Sequence, residues 1–270
     1  QPNLIPYVTS YYKKNWGFCL SYNEFKKLKN GEYRVFIDSK FKKGKMNYGE
    51  LFLKGKSKKE IFFSTNICHP SMANNEISGP LLANYLYKTL RDLRYKTNLS
   101  YRFLFIPETI GSIAYLSKNY KQLKKKMLAG FVLSCVGDNN NFSHIESRNG
   151  NTLADNALEA AFLRLKNSKK FSFLERGSDE RQYCYPGIDL PVAGFCRTKY
   201  GSYKEYRTSG DNLKIINKKG FEGSFKVLKN IIDAFELGIF PINKIKCEPQ
   251  LSKRNLYLST SNKKNYFNKV

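Results

Sequence analysis

The chain has 270 residues, and its 41% hydrophobic content is enough to form a full buried core. Its formal net charge of +25 suggests nucleic acid as a partner. However, lysines recur in short groups along the whole chain without a helix-turn-helix, zinc-finger or RNA-recognition motif, so we expect no nucleic-acid binding by this chain alone. No apolar run is long enough to span a membrane and no signal sequence is visible, so we expect a cytoplasmic protein with no membrane contact.

The first 60 residues are rich in Tyr, Phe, Gly and Lys and predict a small β-rich domain. Polar and apolar residues alternate over 33–37 and 48–53, which favours strands there. A helical period is visible only over 22–28. We therefore interpret residues 1–60 as a unit distinct from the rest of the chain.

From residue 61 the sequence alternates between strand and helix patterns, which is typical of an α/β fold. The predicted strands cover residues 61–65, 101–106, 130–136 and 190–195. The predicted helices cover residues 81–94, 113–120, 153–165 and 221–235. Ser78 is the predicted N-cap of the first of these helices. The pattern is lost beyond residue 242, so we interpret 61–242 as the main domain and 243–270 as a linker or tail.

Polar side chains follow three of the predicted strands. His69 follows the first strand, Glu108 the second and Asp138 the third. If these strands are parallel, their carboxyl ends meet at one edge of the sheet, where ligands bind. A histidine can ligate zinc and a nearby glutamate can act as a general base, as in a zinc hydrolase. Each residue also has a structural alternative. His69 would be a histidine in a turn whose hydrogen bonds are satisfied, and Glu108 would be a carboxylate in the first turn of a helix. Spacing alone does not decide between these interpretations.

Two further stretches, over 176–192 and 197–213, are dense in polar residues. The first carries Asp179 and Arg181 ahead of a predicted strand, where a structural ion-pair network is the alternative. The second is a polar, aromatic loop that includes Tyr206 and precedes the closing helix. Loops of this kind often carry function.

Five motifs lie between residues 68 and 212, and they read C-H-P-S-M-A-N-N-E-I-S-G-P, I-P-E-T-I-G-S-I, S-C-V-G-D, G-S-D-E-R-Q-Y-C-Y-P-G-I-D-L-P-V and E-Y-R-T-S-G-D-N. Together they resemble a bacterial family of aminopeptidase-like proteins. Its members are similar to zinc-dependent aminopeptidases and glutaminyl cyclases, carry a small β-rich inserted domain of unknown function, and often end in a winged helix. The resemblance implies an α/β, three-layer, phosphorylase/hydrolase-like fold with a mixed sheet flanked by helices. It also implies that Gln1 lies inside a typical member, with opening strands and a winged helix outside this chain.

The resemblance implies a role for individual residues at a metal site. His69 falls on the first metal histidine, and Asn75 falls where related aminopeptidases have a metal-bridging aspartate. Glu76 is the neighbouring carboxylate that could compensate, and Asp179 matches an active-site aspartate. Arg207 falls where a distal metal histidine is expected, and an arginine is always charged and does not ligate zinc. We therefore expect one zinc ion or none, with Arg207 adding positive charge in place of a second cation.

The resemblance also implies a division of catalytic roles. Glu108 falls on the catalytic glutamate, which would handle the proton of a water while a metal polarises a scissile carbonyl. Arg207 is expected to belong to the catalytic machinery beside it. Asp138, Arg181 and Tyr206 are expected to contact substrate.

Several functions follow as hypotheses. The leading one is a zinc-dependent, aminopeptidase-like hydrolase that acts on a small peptide or amide. The alternative is a degenerate, catalytically inactive protein that binds a ligand or regulates a partner, which Asn75 and Arg207 favour. A nucleic-acid-associated protein is a third hypothesis, and it predicts a basic stripe on one face. A thiol hydrolase that uses Cys68 is disfavoured, because adjacent residues at a strand end are expected to point apart, away from His69.

Overall fold

The structure is a computed structural model that describes residues 1–10, 13–92, 97–238, 247 and 250–254. It contains two units, Gln1–Glu236 and Leu237–Val270, and the first unit holds the sheet and the candidate site. The described part of the second unit includes a 3-10 helix at Ser252–Arg254, and most of the predicted tail lies outside the described residues. Among the described helices, none has the length and apolar character needed to cross a membrane.

A mixed sheet forms the centre of the first unit. Its described strands are β1 (Gly49–Leu53), β2 (Glu60–Asn66), β3 (Ser100–Ile106), β4 (Met127–Leu133), β5 (Phe142–Ile145), β6 (Ser168–Phe171) and β7 (Val192–Cys196). Their order across the sheet is β1-β3-β2-β4-β7-β5-β6. Strands β3, β2, β4 and β7 are parallel to one another, whereas β1 pairs antiparallel with β3, and β5 with β7.

Helices cover both faces of the sheet. The described α-helices are α1 (Tyr22–Phe25), α2 (Ser78–Asp92), α3 (Ile110–Lys126), α4 (Leu153–Phe162), α5 (Glu180–Tyr183) and α6 (Lys218–Leu237). Alternate residues of β2 enter different cores, because Phe63 packs with α2, α4 and α6 whereas Phe62 packs with α3 and α5. The structure confirms the three-layer mixed sheet.

The first 60 residues differ in detail from the predicted β-rich domain. No strand forms over 33–37, where Phe36 is exposed and the alternating residues have no partner strand among the described residues. The helix predicted over 22–28 is reduced to α1. Strand β1 hydrogen-bonds to β3 in the central sheet. The division of the chain near residue 60 stays a prediction.

Two short strands, β5 and β6, were missed by the sequence patterns. Each has four residues, and β6 carries mostly exposed polar side chains, so neither shows a long apolar alternation. The helix predicted over 113–120 is longer in the structure, where α3 covers Ile110–Lys126, and the other predicted elements beyond residue 60 agree to within about three residues at each described end. The end predicted for the helix over 81–94, with Leu93 and Arg94, lies outside the described residues.

The connection between β2 and α2 positions the candidate site. Residues Ala73–Ile77 form a π-helical turn that leads directly into α2. Ser78 is therefore not the N-cap that was predicted, and its buried hydroxyl donates to the Asn74 carbonyl and accepts the Val136 N–H. Gly79 is needed at this point, since a Cβ there would lie 2.1 Å from Thr65 Oγ1. This close approach packs the turn against the end of β2.

Candidate active site

Loops at the carboxyl edge of the parallel strands bring the predicted site residues together. The connection after β2 carries Cys68, His69 and Glu76, and the connection after β3 carries Glu108. The loop between β7 and α6 carries Arg207. Because β2 and β3 are parallel neighbours, their following residues emerge side by side at this edge.

The imidazole of His69 is buried and oriented by a carboxylate. Its Nδ1 lies 2.8 Å from Glu76 Oε1, and Glu76 Oε2 accepts the Cys68 backbone N–H at 3.0 Å. The Asn75 side-chain amide donates to Glu76 Oε1 at 2.7 Å. Because Glu76 acts as an acceptor in these contacts, we infer that Nδ1 of His69 carries a proton, so that in the neutral imidazole Nε2 keeps the lone pair.

Two buried polar atoms around the imidazole have no hydrogen-bond partner among the described residues, His69 Nε2 and Asn75 Oδ1. Near Glu108, Asp179 Oδ2 and Arg181 Nε also lack one. Glu108 Oε2 is 4.0 Å from His69 Nε2, which is too far for a hydrogen bond. Buried polar atoms are nearly always paired, so an unpaired one calls for a specific explanation. A ligand or metal ion is one such explanation.

Glu108 lies between charges of both signs. Arg207 Nη2 lies 3.4 Å from Glu108 Oε2. Burial raises the pKa of the Glu108 carboxyl. The charge of His69, when its imidazole is protonated, and the charges of Arg207 and Arg181 oppose that effect without cancelling it. A raised pKa makes the carboxylate a stronger base, which suits a group that accepts and releases a proton.

The loop that carries Arg207 is fixed by the N-terminal segment of the chain. The Arg207 carbonyl accepts the Tyr7 N–H at 2.8 Å, and Arg207 itself has a left-handed φ of 51°. The Tyr7 ring packs edge-on against His69 with centroids 5.2 Å apart. The Arg207 guanidinium lies 5.5 Å from the centre of the Tyr206 ring. Tyr7 was not singled out from the sequence, and it borders the site only because the N-terminal segment crosses this loop.

Asp179 contacts the turn that follows Glu108. Its Oδ1 accepts the Thr109 N–H at 2.7 Å and the Ser112 hydroxyl at 3.0 Å. Arg181 donates to the Thr109 hydroxyl. Burial raises the pKa of Asp179 to about 7, the Thr109 N–H opposes this effect, and the Glu108 charge adds to it. Asp179 and Arg181 therefore position the turn that carries Glu108, and a metal-ligand role for Asp179 stays a prediction.

Asp138 belongs to a separate network. Its carboxylate accepts the Thr198 hydroxyl at 2.6 Å, and the N–H groups of Thr198 and Asn140 and the Asn74 side chain at 3.0 Å each. Because Asn74 lies in the π-helical turn, this network ties the turn to the loops after β4 and β7. A substrate contact at Asp138 stays a prediction, and its contacts are those of a residue that positions loops.

The position of the Cys68 thiol corrects a sequence-based expectation. Cys68 Sγ lies 3.1 Å from His69 Nδ1, because the chain turns after β2 and does not continue as an extended strand. Burial raises the pKa of Cys68 to about 12, with the Glu76 charge adding to it, so a thiolate nucleophile stays disfavoured. Among the described residues, Cys68, His69 and Glu76 form the one group of three potential metal ligands, with ligand atoms within 4.8 Å of one another.

Asp211 is a second residue that sequence reasoning missed. Its carboxylate accepts the N–H groups of Asn74 at 2.6 Å and Asn75 at 3.1 Å, and so caps the π-helical turn. Its signal in the sequence is the S-G-D-N stretch of the polar loop before α6. The partner residues lie more than 130 positions away, and a local pattern does not reveal them.

The chain belongs to the family described as Domain of unknown function (DUF4910), whose model matches residues 8–238. It is 43% identical over 255 residues to a Clostridium acetobutylicum protein named as a candidate polysaccharide biosynthesis protein with an aminopeptidase-like domain. The match covers 94% of this chain and 58% of that relative. The chain therefore spans little more than half the length of this relative.

Solved structures confirm the aminopeptidase-like fold. A crystal structure of a candidate peptidase from Clostridium acetobutylicum has a TM-score of 0.84 and 41% identity, and the match covers 94% of this chain and 60% of that one. A zinc aminopeptidase of Bacillus subtilis has a TM-score of 0.55 and 16% identity, over 70% of this chain and 48% of its own. A glutaminyl cyclase of Porphyromonas gingivalis has a TM-score of 0.56 and 13% identity, and the match covers 70% of this chain and 77% of that one. The last two likenesses establish the fold alone.

Proposed function

We propose that the chain is an aminopeptidase-like hydrolase that acts on a small peptide or amide, with zinc as its cofactor. The observation that carries the proposal is the placement of His69 Nε2 4.0 Å from Glu108 Oε2, at the ligand-binding edge of an aminopeptidase-like sheet. An imidazole is a zinc ligand, and a carboxyl with a raised pKa is a suitable general base.

The donors around His69 fit one zinc ion and do not fit a pair. A carboxylate lies beside each imidazole nitrogen, Glu76 at Nδ1 and Glu108 at Nε2, and zinc accepts these donor types. A second cation would meet the neutral side chain of Asn75 and the guanidinium of Arg207. His69 and Glu76 would hold the single ion, which when bound supplies Lewis-acid polarisation of the scissile carbonyl.

The protein's own residues would divide the remaining work. Glu108 would take a proton from the attacking water and deliver it to the leaving amine. Arg207 holds Glu108 through their contact and would supply fixed positive charge in place of a second cation. Arg181 and Tyr206 are the better supported substrate contacts, because they border Glu108 and Arg207.

Hydrolysis of aminoacyl amides by the zinc-exposed protein tests this proposal. We expect Glu108→Gln to lower kcat about 10²- to 10⁴-fold, the usual contribution of a general base. Glu222→Gln, at an exposed position on α6, is the matched control and should leave the rate unchanged. An unchanged rate in folded Glu108→Gln protein would remove Glu108 from the mechanism.

A ligand-binding protein without turnover is the second candidate. The contact between Arg207 and Glu108 favours it, because an ion pair stabilises the ionised carboxylate and weakens it as a base. This candidate predicts a folded protein that retains no zinc and hydrolyses no aminoacyl amide. Plasma mass spectrometry after zinc exposure and desalting separates the two, since the hydrolase should retain about one zinc ion per chain.

A further inference from the structure

The two nitrogens of the His69 imidazole face different chemical environments. On the Nδ1 side lie the Cys68 thiol at 3.1 Å and the Glu76 carboxylate at 2.8 Å. On the Nε2 side lies Glu108, whose carboxylate is in contact with the Arg207 guanidinium. A guanidinium repels a divalent cation, so the Nδ1 side is the better place for a metal ion.

The Nδ1 side also has the geometry of a ligand set. The sulfur, nitrogen and carboxylate oxygen of Cys68, His69 and Glu76 lie within 4.8 Å of one another. Zinc–ligand lengths of about 2.3 Å for sulfur and about 2.0 Å for nitrogen or oxygen let one ion span atoms up to about 4.3 Å apart. The separations of Nδ1 from Cys68 Sγ, 3.1 Å, and from Glu76 Oε1, 2.8 Å, lie within that span. The same three residues line a cavity of about 630 Å³, which leaves space for a further ligand such as water or substrate.

Hydrogen bonds around these atoms hold them in place. Cys68 Sγ accepts the Glu108 N–H at 3.2 Å, and the Cys68 N–H donates to Glu76 Oε2 at 3.0 Å. Asn75 donates to the other oxygen of Glu76 at 2.7 Å. Contacts of this kind orient metal ligands and raise affinity.

We propose that zinc binds on the Nδ1 side of His69, with the Cys68 thiolate as the third protein ligand beside Glu76. The proposal deepens the proposed function and rests on it for the identity of the metal. Binding would release the thiol proton to solvent. The imidazole would stay neutral by losing its Nδ1 proton and gaining one at Nε2, where the new N–H would face Glu108. The buried nitrogen that is unpaired without metal would then face a carboxylate, as is usual for metal-bound histidines.

Cobalt(II) titration of the full chain tests the ligand assignment without relying on activity. A thiolate ligand gives cobalt an intense sulfur-to-metal charge-transfer absorption in the near ultraviolet, which nitrogen and oxygen ligands lack. We expect this band in the wild-type chain, its loss in Cys68→Ala, and its retention in Cys247→Ser, the matched control at an exposed cysteine. Competition with zinc should show that Cys68→Ala binds zinc more than about 100-fold more weakly than the wild-type chain. Residues that only hydrogen-bond to metal ligands already contribute about 10- to 100-fold to metal affinity.

Three outcomes count against the proposal and differ in what they leave standing. If the wild-type chain binds cobalt without the thiolate band, the metal lies elsewhere and the hydrolase proposal survives. If the folded chain binds neither cobalt nor zinc, this proposal and the zinc-dependent hydrolase both fail. If Cys68→Ala is unfolded, Cys68→Ser and Glu76→Gln replace it, and undiminished cobalt and zinc affinity in both would also overturn the ligand set.

Discussion

The chain has two histidines, and each is buried beside a carboxylate. His69 Nδ1 lies 2.8 Å from Glu76, and His144 Nε2 lies 3.0 Å from Asp155. Each imidazole also leaves its other nitrogen without a hydrogen-bond partner among the described residues. An unpaired nitrogen therefore does not identify a functional site by itself, and the surroundings have to decide.

The two histidines differ in whether their neighbouring residues are near to them or far from them in the sequence. Asp155 accepts hydrogen bonds from the backbone and hydroxyl groups of Ser147 and Thr152, so its network is local and caps the start of α4. The ring of His144 lies against Phe162 in the core. The surroundings of His69 are assembled from distant segments, because Glu108 and Tyr7 approach the imidazole and Arg207 contacts Glu108. His69 itself also lines a cavity. A local, apolar setting indicates a structural pair, whereas converging charged groups indicate a site.

Removal of each histidine gives the largest expected contrast. If zinc is bound, His69→Ala should abolish its retention, because His69 is shared by every ligand set considered. His144→Ala should leave zinc content unchanged, provided the protein is folded. Plasma mass spectrometry after desalting, with circular dichroism as a fold check, measures both. Equal zinc content in folded His69→Ala and wild-type protein would remove His69 as a ligand.

The pair of His144 and Asp155 should contribute strongly to the stability of the fold. Asp155→Ala removes an acceptor of several buried hydrogen bonds and leaves the His144 imidazole and the Ser147 hydroxyl without it. We expect the free energy of unfolding to fall by about 3–5 kcal/mol, the usual cost of removing one partner of a buried pair. Urea unfolding measures this change. Glu159→Ala, at a half-exposed position on α4, is the control and should cost less than about 1 kcal/mol.

The sequence predicted the central strands and the two residues that follow them. Strands β2 and β3 are apolar runs of the length expected for buried parallel strands, so their ends, and with them His69 and Glu108, could be placed in advance. Strands β5 and β6 could not, because four residues with mixed polarity carry no clear period.

The directions of side chains and the contacts between distant segments could not be predicted from the sequence. The Cys68 thiol was expected to point away from His69, since that follows from strand geometry, but the chain has left the strand by that residue. Asp211 and Tyr7 contact the site through loops whose relative positions depend on the whole fold. Local patterns therefore placed the first residues of the site and missed those that orient them.

Two buried aspartates should give opposite pH dependences of stability. Burial raises the pKa of Asp179 from 3.8 to about 7 in the folded chain. The folded state then holds a proton that the unfolded state loses, so this carboxyl lowers stability as pH rises from 3.8 towards 7. For Asp155, burial acts to raise the pKa, but hydrogen bonds from His144, Ser147 and Thr152 outweigh it and hold the pKa below its usual value. Its contribution is present above the usual pKa and is lost as pH falls.

Replacing either aspartate by asparagine should remove its contribution to the pH dependence of stability. The change in stability should be smaller than that expected for Asp155→Ala. The asparagine side chain keeps an oxygen that can accept the Thr109 N–H but cannot titrate. The melting temperature of Asp179→Asn should therefore fall less between pH 4 and pH 7 than that of the wild type, by the contribution of one titrating group. Asp155→Asn should instead flatten the loss of stability in acid. Thermal melts of both variants across this range measure the slopes. An unchanged slope in Asp179→Asn would show that Asp179 titrates normally in the folded chain.

The smallest effect is a difference in proton position, and it tests the comparison most directly. The contact with Glu76 places the proton of neutral His69 on Nδ1, whereas the contact with Asp155 places that of His144 on Nε2. Because the chain has only two histidines, nitrogen NMR of the imidazoles should show one ring of each tautomer in metal-free protein. His144→Gln assigns the two patterns. Zinc on the Nδ1 side should convert His69 to an Nε2–H ring and leave His144 unchanged, whereas zinc on the Nε2 side should preserve the original tautomer of His69.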